Sequence, residues 1–129
     1  MAEPSKITAV LTDNGIVCKD AKGATVIAGG AGPKASELVL MAVAGCSAST
    51  LKAIMAKEGW NLSSLGITVE GVASEERPRH WTEVHVHYDI QCPGLPDEKA
   101  EAYVKATGDN CFVMQSISAK KHLTFTVRR

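Results

Sequence analysis

Aromatic side chains are scarce in this chain, with two Trp, two Tyr and two Phe among 129 residues. A core must therefore rest on Ala, Val, Ile, Leu and Met, within an apolar content of 45% that marks a globular chain. Net charge is missing as well: 14 basic residues balance 14 acidic ones, with no basic run. That balance gives no footing for nucleic acid or an anionic membrane surface, and it does little to keep copies of the chain apart. There is no long hydrophobic run, since the longest near-apolar stretch, Leu38 to Cys46, is about half a membrane span. The opening residues, Met1 to Lys6, lack the charged start and apolar segment of a signal peptide. A soluble, cytoplasmic protein is expected. Cys18, Cys46, Cys92 and Cys111 offer no C-x-x-C spacing, which removes zinc knuckles and thioredoxin-type motifs, and a reducing compartment argues against structural disulfides.

What is present reads as one domain over residues 1–129, of class α+β. Asp13-Asn14-Gly15 and Lys22-Gly23 are tight-turn signals separating short strands at Ile7–Thr12, Ile16–Lys19 and Ala24–Ala28. Gly29-Gly30-Ala31-Gly32-Pro33 reads as a flexible connector; it lacks the lysine and hydroxyl of a phosphate loop. From Lys34 to Glu58 the pattern is helical, with Leu38, Met41, Ala42, Gly45, Cys46, Ser49, Ala53 and Ile54 recurring at three- and four-residue steps and Gly59 as the stop. Its middle is made of small residues, so the helix is expected to be central and closely packed. Strands follow at Leu65–Glu75 and Trp81–Gln91. The second alternates strictly, Val84, Val86, Tyr88 and Ile90 against Glu83, His85, His87 and Asp89. Asp97 is placed to cap a helix reaching Thr107, Gly108-Asp109-Asn110 interrupts it, Phe112–Ala119 forms a second helix, and His122–Val127 is a last strand. The order is three strands, a long helix, two strands, two helices and a strand.

Two thiols stand out as chemistry. Cys46 sits inside the long helix, shielded from bulk water, and Cys111 sits where a helical pattern breaks and restarts, so that its side chain can project from a turn. Brought together, they would be a nucleophile and a resolving thiol. Cys18 and Cys92 read as small buried hydrophobes. His85 and His87 share a strand face with Glu83 and Asp89, and alternate histidines can chelate zinc or copper. A polar row opposite an apolar row is also what any half-exposed strand presents, and neither a metal nor another cofactor is expected. No local signature supports a Cys–His hydrolase built on His80, His85, His87 or His122.

The element order and both cysteine settings resemble the OsmC/Ohr family, named for osmotically inducible protein C and organic hydroperoxide resistance protein. The resemblance runs from about Gly32 to the C-terminus. It is carried by Glu37-Leu38-Val39-Leu40-Met41-Ala42-Val43-Ala44-Gly45-Cys46-Ser47-Ala48, by Glu75-Glu76-Arg77-Pro78-Arg79, and by Asn110-Cys111-Phe112-Val113. It implies a mixed sheet around a long central helix and an intertwined homodimer with active sites at the subunit interface. It also implies a thiol-dependent peroxidase of oxidative-stress defence, acting on organic hydroperoxides and recycled by a dithiol reductant. In it Cys46 would be the peroxidatic thiol and Cys111 the resolving one, with Leu38, Met41, Phe112 and Met114 as candidate pocket residues. The family's characterised hydroperoxide reductases draw an activating arginine from the N-terminal strands and a glutamate ten residues before the first cysteine. Here no arginine precedes Arg77, and that second position is Ser36, with Glu37 one residue later. Glu37, Arg77 and Arg79 are the candidate replacements. The alternative class is a non-catalytic dimer that binds a small hydrophobic molecule or senses redox state.

Overall fold

The computed structural model describes residues 4–129; Met1–Glu3, part of the stretch read for a signal peptide, lie outside the described residues. The chain divides into two compact units, residues 1–39 and 40–129. In the first, β1 (Thr8–Thr12), β2 (Gly15–Lys19) and β3 (Thr25–Ala28) form an antiparallel sheet in sequence order. The β1–β2 turn needs Gly15, whose φ of 124° is closed to ordinary side chains.

The glycine-rich segment after β3 is not the loose connector expected. Ala31 N–H donates to Asn14 O at 2.8 Å, and Gly29 N–H donates to Pro33 O at 2.7 Å. Gly30 and Gly32 lie so close to neighbouring backbone that a Cβ would fall 2.2 Å from Asn14 O and 1.8 Å from Ile27 O. The glycines serve close backbone approach rather than flexibility.

Helix α1 (Ala35–Lys57) begins in the first unit and runs into the second. Glu37 Oε1 accepts the Lys34 N–H at 3.1 Å, half of a capping box, and its charge suits the helix N-terminus. The buried stripe is Val43, Ser47, Leu51 and Met55, not the stripe the spacing suggested. Met41, Ala42, Gly45, Ser49 and Ala53 of the expected stripe are exposed. A helix that is apolar on all sides carries no periodic contrast from which one face can be chosen. By length and composition α1 could cross a membrane, yet its buried stripe belongs to the core cluster with Val86, Tyr88 and Ile90.

The second unit is built on β4 (Ser64–Ala73), β5 (Trp81–Gln91) and β6 (Lys120–Arg128), with β5 central. β4 and β5 are antiparallel, whereas β5 and β6 are parallel. A parallel pair cannot be closed by a hairpin, and the crossover is α2 (Asp97–Asn110) followed by α3 (Phe112–Ser116). The alternation of β5 is as expected: Val84, Val86, Tyr88 and Ile90 are buried, and Glu83, His85, His87 and Asp89 face outward. The α+β class and the mixed sheet are therefore both realised, with the strands shared between two sheets.

Two local expectations are corrected. Pro96 rather than Asp97 is the N-cap of α2, and the Asp97 carboxylate instead pairs with Arg129 Nη2 at 2.6 Å. Gly108 does not interrupt α2, which continues to Asn110; its missing side chain makes room for Leu123 of β6, which would lie 2.6 Å from a Cβ. The real break is at Cys111, whose ψ of 116° is extended.

Replacing Gly32 by Ala should lower the thermal unfolding midpoint by several degrees, since the new methyl meets a carbonyl that can yield only if the backbone moves, a cost of about 1–3 kcal/mol or more. Differential scanning calorimetry of Gly32→Ala against the unaltered chain measures it, and an unchanged midpoint would mean that the segment is as loose as its composition implies.

Candidate functional site

The break between α2 and α3 determines what surrounds Cys46. Cys111 N–H closes α2 by donating to Thr107 O at 2.8 Å, and Gln115 N–H opens α3 by donating to Cys111 O at 3.0 Å. The amides between them have no carbonyl of their own helix to bond, as at any helix start. The amides of Val113 and Phe112, and the Cys111 thiol, favour the ionised form of Cys46.

These donors set the acidity of the pair. Burial is the largest single influence on Cys46 and opposes ionisation. The Val113 amide, the Cys111 thiol, the Thr50 hydroxyl and the Phe112 amide together outweigh it, and the thiol is held below its ordinary range. Thr50 has one proton to give and donates it to Cys46 O at 2.8 Å, so the two amides and the Cys111 thiol are the donors that count. Cys111 is pushed up, first by burial and further by the charge that Cys46 carries when ionised, although the Met114 amide and Ser47 act in the other direction. One thiol is thus primed to be a thiolate and the other to remain a proton donor to it. The relative exposure reverses the expectation: Cys111 is fully buried at its turn, and Cys46 in mid-helix is half-buried.

A chain of hydroxyls lies behind Cys111. Tyr88 Oη donates to Ser47 Oγ at 3.3 Å, and Ser47 Oγ donates to Cys111 Sγ at 3.9 Å. Tyr88 and Ser47 are fully buried, and burial pushes the Tyr88 phenol up, so it stays a donor. Sequence reasoning did not assign these residues or the two amides to the site. Ser47 and Tyr88 were visible as polar atoms on apolar faces, whereas a backbone amide has no signature in residue type.

The other sequence candidates scatter. Phe112 contributes its amide to Cys46 while its ring is 79% exposed; Met41 is 54% exposed, and Met114 is buried in the core. Glu37 is engaged in capping α1. Arg77 and Arg79 lie on the exposed β4–β5 turn, where their side chains make no hydrogen bond or ion pair among the described residues, and neither contributes to the acidity of Cys46. Cys92 is buried, its thiol pushed up by burial and donating to Asn61 O at 3.3 Å. Cys18 is only partly buried on β2.

The model of the OsmC-like protein family matches residues 28–127. No curated protein sequence matches significantly. Among solved structures, a hypothetical protein from Aquifex aeolicus VF5 is similar with a TM-score of 0.88 and 21% identity, 98% of each chain being covered. An OsmC-like protein from Mycoplasma pneumoniae gives 0.85 and 16%, with 100% of each covered. An organic hydroperoxide resistance protein from Elizabethkingia anophelis gives 0.77 and 17%, with 99% of each covered. At these identities the likeness is one of fold.

The donor arrangement predicts a pH profile. Cys46 should be alkylated by iodoacetamide with a midpoint below the usual thiol value of about 8.5, and Cys111 and Cys92 only above it, because only the thiolate reacts. Phe112→Pro removes one amide donor at the first helical position, where proline is tolerated, and should move the Cys46 midpoint upward. Site-resolved mass spectrometry across pH measures both; a Cys46 midpoint at or above that of a free thiol would contradict the assignment.

Proposed function

The chain belongs to the OsmC-like protein family, and on that basis we propose that it is a cysteine-based peroxidase that reduces organic hydroperoxides at the expense of a dithiol. What supports the proposal is a pair of thiols with opposite tendencies, Cys46 toward the thiolate and Cys111 toward the thiol, the second being fully buried and held by the Ser47 and Tyr88 hydroxyls. The organic hydroperoxide resistance protein among the structures of the same fold is consistent with this reading.

In the proposed cycle the Cys46 thiolate attacks the terminal oxygen of ROOH. An S–O bond forms, the O–O bond breaks, and the alkoxide leaves as ROH after taking a proton; Cys46 is oxidised by two electrons to the sulfenic acid. The sulfur of Cys111 then attacks that of Cys46, an S–S bond forms, and the hydroxyl departs as water with the Cys111 proton. An external dithiol reduces the disulfide, returning two electrons and two protons. The Tyr88–Ser47 hydroxyls hold Cys111 in place while it waits as a thiol. Backbone amides take the part that the family's characterised reductases give to an arginine: they favour the thiolate without adding a charge.

The proposal includes a homodimer. The exposed small-residue stripe of α1, together with Val10 at 62%, Leu11 at 81% and Val26 at 49% exposure, supports a second copy as the covering partner. Met41 and Phe112, exposed in one copy, then line an apolar approach to Cys46 suited to the carbon skeleton of the hydroperoxide. One domain over the whole chain and a cytoplasmic location, where dithiol reductants are plentiful, complete the reading.

Reduced protein with cumene hydroperoxide and dithiothreitol should show multiple turnovers. Cys46→Ser should fall to the uncatalysed rate, and Cys111→Ser, treated with peroxide before any dithiol is added, should consume about one equivalent and form no disulfide with Cys46. Peroxide consumption no faster than that of free thiols would sink the peroxidase proposal and favour a ligand-binding dimer, which extraction of a co-purifying lipophilic molecule would reveal.

A further inference from the structure

The outward face of the β4–β5–β6 sheet carries a side-chain cluster that the thiol chemistry does not use. β5 and β6 run parallel with His85 directly opposite His122. The two imidazoles stack with centroids 4.4 Å apart and planes 11° from parallel. Glu83 lies two residues before His85 and so shares its face. Its Oε1 is 2.6 Å from His122 Nε2 and 3.9 Å from His85 Nε2. One ligand atom from each of the three residues lies within 4.8 Å of the other two. We propose that Glu83, His85 and His122 bind one divalent transition-metal ion, of which zinc is representative.

The spacing of the ligand atoms is close to what such an ion requires. Donors held at about 2.0–2.2 Å from one zinc can be no more than about 4.4 Å apart, so the ligand atoms are nearly close enough, and the two stacked rings must turn out of parallel for their nitrogens to converge on one ion. Two imidazoles and one carboxylate suit zinc and its first-row neighbours, whereas calcium and magnesium take oxygen shells. Three protein ligands leave room for water. The surroundings add a second carboxylate: Glu70 is the register partner of His85 on β4, and with Thr68, His87 and Thr124 it lines a cleft of about 310 Å³ over the histidine pair. Lys120, opposite Glu83, is the adverse charge; it is exposed and, among the described residues, makes no ion pair with Glu83.

The cross-strand pair also accounts for which histidines the site takes. His87 is already satisfied at both ring nitrogens, Nδ1 at 2.6 Å from Thr124 Oγ1 and Nε2 at 3.0 Å from Thr126 Oγ1. Asp89 accepts from Arg128 Nε at 3.1 Å. Alternate residues of one strand stand about 6.6 Å apart, but neighbours across a sheet stand about 4.8 Å apart, and it is the second spacing that brings two imidazoles to one ion.

Titration of the reduced, metal-free full chain with Zn2+ by calorimetry, and with Co2+ by absorption, tests the proposal. One ion per chain is expected, with cobalt showing ligand-field bands but no sulfur-to-cobalt charge transfer. His122→Ala and His85→Ala should each weaken binding at least about 10-fold, Glu83→Gln should weaken it, and Cys46→Ser should leave it unchanged. Absence of stoichiometric binding would overturn the proposal and leave a glutamate–histidine hydrogen-bond cluster. Binding that survives both histidine substitutions would also overturn it, as would a sulfur charge-transfer band that disappears in Cys46→Ser, which would move the ion to the thiols.

Discussion

The proposed chemistry depends on an interruption one residue long. At Cys111 the backbone leaves the helical region, ends α2 and starts α3. A continuous helix would have committed the amides of Phe112 and Val113 to carbonyls four residues back. Because the helix breaks, those amides are left to favour a thiolate at Cys46, and the residue at the break is itself the second thiol. One irregularity therefore positions a donor pair, a proton-bearing thiol and its buried support from Ser47 and Tyr88. An amide dipole fixed by a helix start costs nothing in side-chain ordering, which gives this solution an advantage over a long cationic side chain.

Strand β5 joins the two halves of the account. Its period of two sends Tyr88 inward to the hydroxyl chain behind Cys111 and sends Glu83 and His85 outward to meet His122. Residues of one strand thus face two separate side-chain clusters on opposite sides of a sheet one layer thick. The inward side is dry and adjusts acidity through burial and hydrogen bonds. On the outward side, Glu83, His85 and His122 are partly open to solvent.

How far the sequence could be read follows from the strength of each local signal. The strands of the second unit were legible because polar and apolar residues alternate, and the order of elements followed from turn residues and the long apolar helix. The buried face of α1 was not, since a helix with apolar residues all round offers no contrast between Met41 or Gly45 and Val43 or Leu51. Gly108 was read as a helix interruption and Gly32 as part of a flexible connector, but their real constraint is close approach to Leu123 and to Ile27, which only the folded chain sets. The two thiols were visible as residues of unusual setting. The groups that set the acidity of Cys46 were not, because amides occur at every position and only the fold decides which are free. The cross-strand histidine pair was hidden for the same reason: His85 and His122 are 37 positions apart and meet only through the parallel register of β5 and β6.

The central claim is that Cys46 and Cys111 act on each other. Its most direct test is to treat the reduced protein with one equivalent of an organic hydroperoxide and map the thiols by peptide mass spectrometry. The account predicts loss of two hydrogens from the chain, a peptide containing Cys46 joined to one containing Cys111, and Cys18 and Cys92 still free. A Cys46 that remains reduced, or a disulfide that joins any other pair, would contradict it.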